Sequence, residues 1–117
     1  MKYVVLINQD PVAREWRSRP AEEQASIQVA WGEFVQTPGV TPGLYLEPPE
    51  TATTLRIVDG ETLITDGPYV ETKEALDGFC TVEADDLDAA IELAKKVPSL
   101  RAGGCVEIRP VVDWSQP

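Results

Sequence analysis

Hydrophobic positions change period along the chain, and each change marks an element. From Lys2 to Ile7 (KYVVLI) they fill both alternating faces, which predicts a central strand covered on both sides. After Pro20 they recur at Ile27, Ala30, Trp31, Phe34 and Val35, one face of an amphipathic helix. Pro20 suits its first turn, Glu22 and Glu23 complement the positive end of its dipole, and Pro38-Gly39 ends it. Thr37 to Glu50 (TPGVTPGLYLEPPE) is too rich in Pro and Gly for sustained regular structure, and reads as either a connection or a functional loop. Thr53–Val58 and Thr62–Thr65 flank Asp59-Gly60 and predict a hairpin. Gly78–Glu83 is a further strand. Asp86 caps a second helix with Leu87, Ala90, Ile91 and Ala94 on one face, Lys95 and Lys96 near its end and Pro98 as its stop, before a last strand at Cys105–Pro110.

This order predicts a ferredoxin-like α+β fold, a two-layer sandwich with two helices on one face of a mainly antiparallel sheet. Residues 1–112 make one domain and residues 113–117 an extension, in which Trp114 is either a packing anchor or an interface residue. Strand alternation sends Val106 and Ile108 one way and Cys105, Glu107 and Arg109 the other; in the hairpin, Leu55 and Ile57 oppose Thr54 and Arg56. With the apolar sets toward the helices, the other face carries Arg56, Glu107 and Arg109. A two-layer sandwich leaves that face bare although the central strand is apolar on both sides. A second copy packed sheet to sheet about a two-fold axis would cover it, giving a homodimer with a part-polar cleft. The alternative for Glu107 and Arg109 is a solvated strand face with weak cross-strand ion pairs.

Composition narrows the chemistry. The 117 residues suffice for a real core. Cys80 and Cys105 have no CxxC spacing, so they read as reduced, half-buried thiols. The opening MKYVVLINQD has too short an apolar run for a signal peptide, and no stretch approaches the ~20 apolar residues that span a bilayer, so a soluble cytoplasmic protein is expected. Ten basic against twenty acidic residues give a net charge of −10, which repels nucleic acid. The chain has no His. That excludes a Ser-His-Asp or Cys-His arrangement and a His-based zinc site, and leaves acid–base work to carboxylates, Lys, Tyr or a thiol. No glycine-rich phosphate loop follows a strand and no calcium loop occurs, so neither cofactor nor metal is expected.

The densest chemistry lies in TDGPYVETKEALDGF, Thr65 to Phe79. Asp66 opens a turn stiffened by Pro68, and is either a turn-former or a carboxylate base or ligand anchor. Glu71, Lys73 and Glu74 are either a charged turn facing water or a binding group, in which a protonated Lys73 suits a carboxylate or phosphate. Tyr69 suits a cleft wall or plain core. Asp85, Asp86 and Asp88 are explained by helix capping. Three readings follow. The first is a binding or regulatory module in which Arg56, Lys73 and Arg109, with Glu74 and Glu107 beside them, recognise a small acidic metabolite or a peptide partner. The second is a small cofactor-free enzyme with Asp66 or Glu71 as base and Tyr69 as proton donor. The third is a dimeric scaffold.

Four ordered segments, Asp66-Gly67-Pro68, Glu71-Thr72-Lys73-Glu74, Gly78-Phe79 and Val106-Glu107-Ile108-Arg109-Pro110, with EADDLDAAIELAKKVP between the last two, resemble the DGPF-domain branch of the YCII-related family from Lys2 to about Val112. The resemblance implies a ferredoxin-like fold that typically dimerises. It implies little about activity, since these proteins are mostly of unknown function. Some occur beside or fused to extracytoplasmic-function sigma factors, which implies a regulatory or stress-linked partner. Tyr69 stands where the name-giving Phe usually sits. Some members of the wider family are proposed to use a His on the first helix and an Asp before a Pro after the second. Here RPAEEQASIQ has no His and Val97 precedes Pro98, so that mechanism is not carried over.

Overall fold

The computed structural model describes residues 1–9, 16–70 and 74–115. Its main sheet has four strands: β1 (Lys2–Gln9), β2 (Val40–Tyr45), β5 (Ala75–Glu83) and β6 (Cys105–Pro110). They lie in the order β2-β5-β1-β6, every pair antiparallel. Helix α1 (Ala21–Val35) joins β1 to β2, and α2 (Leu87–Ala94) joins β5 to β6. This is the ferredoxin-like α+β arrangement expected. Strands β3 (Thr53–Val58) and β4 (Glu61–Asp66) form a separate two-stranded sheet inserted between β2 and β5.

Alternation along β1 decides where the core lies. Tyr3, Val5 and Ile7 are buried, and across the ladders they meet Val82, Cys80 and Gly78 of β5 and Pro110, Ile108 and Val106 of β6. Phe34 of α1, Ala90 and Ala94 of α2, and Val97 close the same cluster, so both helices cover one face of the sheet. The Asp86 carboxylate accepts from the backbone N–H of Ala89 at 2.9 Å, the cap expected for α2.

Three local expectations are corrected. The Pro- and Gly-rich segment after α1 contains a strand, β2, at the sheet edge. An edge strand needs backbone bonds on one side only, so Pro42, which has no N–H, is tolerated there. The β2–β5 register slips between Pro42 and Tyr45. The backbones also crowd at that point, and a Cβ on Gly78 would lie 2.6 Å from the Leu44 carbonyl oxygen. Glycine is what lets β2 close.

The second correction concerns the hairpin. Asp59 and Gly60 both take positive φ, 51° and 82°, as a two-residue type I′ connection requires, and Val58 pairs with Glu61. The ribbon nevertheless joins no strand of the main sheet, so Arg56 does not share a face with Glu107 and Arg109. Leu55, Ile57 and Ile64 of the ribbon are exposed, Ile57 at 77%.

The third concerns single residues. Cys80 is buried and Cys105 exposed, rather than both half-buried, and Trp114 at 90% exposure anchors no packing within its chain. Among the described residues no helix is long and apolar enough to cross a membrane.

Candidate functional site

The residues singled out in the sequence fall into two separate groups. The first is at the foot of the ribbon. Asp66 ends β4 opposite Thr53; Gly67 follows with its N–H on the Ala52 carbonyl at 2.8 Å, while the Thr54 hydroxyl donates to the Gly67 carbonyl at 2.8 Å. The Arg56 guanidinium lies over the Tyr69 ring, 4.5 Å from its centroid, a cation–π contact. Asp66 and Tyr69 are both exposed.

The second group is on the open face of the sheet. Register sets Val4 between Arg109 and Thr81, Leu6 between Glu107 and Phe79, and Asn8 between Cys105 and Leu76. Arg109 Nε contacts Glu107 Oε2 along β6. The Cys105 thiol donates to Glu74 Oε2 at 2.7 Å, and that bond, then burial, then the charges of Glu74 and Glu107, push the thiol above its ordinary range. Glu71 and Lys73 lie outside the described residues. The ribbon foot and the open face thus both carry polar side chains.

A hollow lies on the opposite, helix-covered side, where the ends of β1 and β2 meet α1 and the turn at Pro98–Ala102. It measures about 680 Å³. Its floor follows from the alternation of β1, because the row Tyr3, Val5, Ile7 continues to Gln9, a buried polar residue where the apolar row would run on. One wall is aromatic, with Trp31 of α1 meeting Tyr45 of β2 edge to face, 5.1 Å between centroids and 83° between planes. Burial first, then Cys80 and Asp77, hold the Tyr45 phenol well above the ordinary tyrosine value, although the residue is 57% exposed overall. It stays protonated, a neutral hydrogen-bonding group.

A second wall is the Pro98–Ala102 turn, held down by buried Val97. It carries Ser99, whose Oγ is buried with no hydrogen-bond partner among the described residues. Arg17 and Arg19 enter from the segment before α1, which Gln24 fixes by donating Nε2 to both of their carbonyls at 2.9 and 2.8 Å. Glu47 and Pro48, from the Pro-rich segment, and Asp77 complete the rim.

None of the described side chains put forward for catalysis or binding lines this hollow, but Tyr45 to Pro48, which do, belong to the Pro- and Gly-rich segment read as a connection or a functional loop. Two signals pointed to it: a Gln ending the core-facing row of β1, and a Ser directly after Pro98. Neither has meaning until β1 and the Pro98 turn are known to be neighbours. Among the described residues no three His, Cys, Asp or Glu side chains converge as a metal site.

The profile of the YCII-related domain matches residues 1–115. The chain is also 32% identical, over 114 residues, to an uncharacterized protein of Rhizobium meliloti (strain 1021), an alignment covering 95% of this chain and 92% of that protein.

Proposed function

The chain belongs to the YCII-related domain family, and on that premise we propose that it is a small-molecule binding module whose ligand occupies the hollow between α1, the ends of β1 and β2, and the Pro98 turn. The observation that carries the reading is the lining: Gln9, a buried polar residue where the apolar row of β1 would run on, stands with two arginines and the Trp31–Tyr45 aromatic pair, the usual mixture of a few placed polar groups in an apolar cavity.

Binding is favoured over catalysis because the protein has no imidazole to exchange protons near neutral pH. The enzyme reading built on Asp66, Tyr69 and Glu71 draws no support from Asp66 and Tyr69, which stand exposed at the ribbon foot. Arg56, Glu74, Glu107 and Arg109 fit a surface for a macromolecular partner better than a pocket.

A thermal-shift screen against aromatic and anionic metabolites tests the proposal, since a ligand at 100 times its Kd stabilises by about 2.7 kcal/mol. Hits should lose their effect in Tyr45→Ala and weaken in Arg17→Ala, whose exposed position leaves the free protein as stable as before. Hits that survive both substitutions would place the site elsewhere.

The same sheet supports self-association. Val4, Leu6 and Phe79 lie on the face without helices, and a second copy seated there is the partner that this face suits best.

A further inference from the structure

A second, shallower cleft of about 520 Å³ adjoins the hollow; Arg19, Ile27, Pro98 and Ala102 line both. Its character is different. Lys95 and Lys96 reach it from the end of α2, Arg101 from the Pro98 turn and Arg19 from before α1, against Glu33 as the one acid of its lining among the described residues. With Arg17 on the aromatic side, five of the chain's ten cationic residues line the two adjoining cavities, against three acidic ones, Glu33, Glu47 and Asp77.

Helix capping does not account for this gathering. Cations are favoured at a helix C-terminus, which explains Lys95 and Lys96, and Lys95 is further engaged by Glu92 at 2.8 Å. Arg19 and Arg101 come from other segments, and among the described residues no ion pair within 4.0 Å engages Arg17, Arg19, Lys96 or Arg101. A local excess of cations in a protein of net charge −10 attracts an anion.

We propose that the two cavities form one bipartite site for an amphipathic anion: a flat apolar body against Trp31 and Tyr45, and a multiply charged phosphoryl or carboxylate head held by Arg19, Lys96 and Arg101. This inference rests on the hollow being the ligand site and names the class of its ligand. The apolar body displaces water from the aromatic wall. The head is read by charge, and as Lys96 and Arg101 are exposed, their contribution is screened by salt.

Calorimetric titration of the full chain with 1-naphthyl phosphate, 1-naphthol and inorganic phosphate at low salt tests it. The phosphate ester should bind at least tenfold tighter than 1-naphthol, and Lys96→Ala/Arg101→Ala should remove most of that difference without changing 1-naphthol binding. Both positions are exposed, so the variant folds, as an unchanged Tm will verify. An ester that binds no tighter than 1-naphthol, or that ignores the double substitution, overturns the bipartite site; 1-naphthol binding lost in Tyr45→Ala would then leave the hollow standing as a site. Absence of binding by all three probes overturns both.

Discussion

The thiol of Cys105 donates to the carboxylate of Glu74 across 2.7 Å, tying the first residue of β6 to the residue before β5 on the far side of β1. The bond determines how an exposed cysteine behaves. The thiolate, not the thiol, is the nucleophile, and here the acceptor and its negative charge hold the proton on sulfur. Cys105 should therefore alkylate with iodoacetamide at pH 8 several-fold more slowly than a free cysteine in a peptide, and Glu74→Ala should remove most of the difference. Mass-spectrometric rates on the folded protein check both; an unchanged rate in the variant would show that Glu74 does not control the thiol.

Burial pushes the Cys80 thiol up to about 11 from an ordinary 9.0. A folded-state value above the unfolded one means that the folded chain resists losing the proton. The stabilisation from this group is thus full below about pH 9 and lost as the pH rises toward 11. Urea unfolding across that window should show stability falling with pH, and Cys80→Ala, though less stable throughout from its cavity, should show a flatter decline. Parallel curves would assign the alkaline loss to other groups.

Phe79 lies on the helix-free face, opposite Leu6 in the β1–β5 ladder. If a second copy covers that face, Phe79→Asp places a charge in the interface and should convert a dimer into a 12.8 kDa monomer by sedimentation, with far-UV circular dichroism unchanged. A wild-type chain that sediments as a monomer at micromolar concentration would refute the covering.

Much of the fold was legible because its signals are local. The spacing of Ile27, Trp31 and Phe34, the Asp86 cap and the Asp59-Gly60 turn each act within a few residues, and each stands where expected. β2 was not legible, because Pro and Gly argue against a strand except at an edge with a close neighbour, and edge position is a property of the sheet. The candidate site was still less legible. TDGPYVETKEALDGF drew attention by charge density, which solvated surface also has.

The sequence by itself determined the two helices, the hairpin and three of the four main-sheet strands, the face each helix buries and the family to which the chain belongs, since all of these follow from periods and motifs read along the chain. Only the tertiary structure decided that the hairpin stands apart from the sheet, that Gln9, Trp31, Tyr45 and Ser99 share a hollow, and that cations from three segments meet beside it. The reason is physical: register and the approach of distant segments are set by packing the whole core, and a residue's partner in space leaves no mark on its neighbours in sequence.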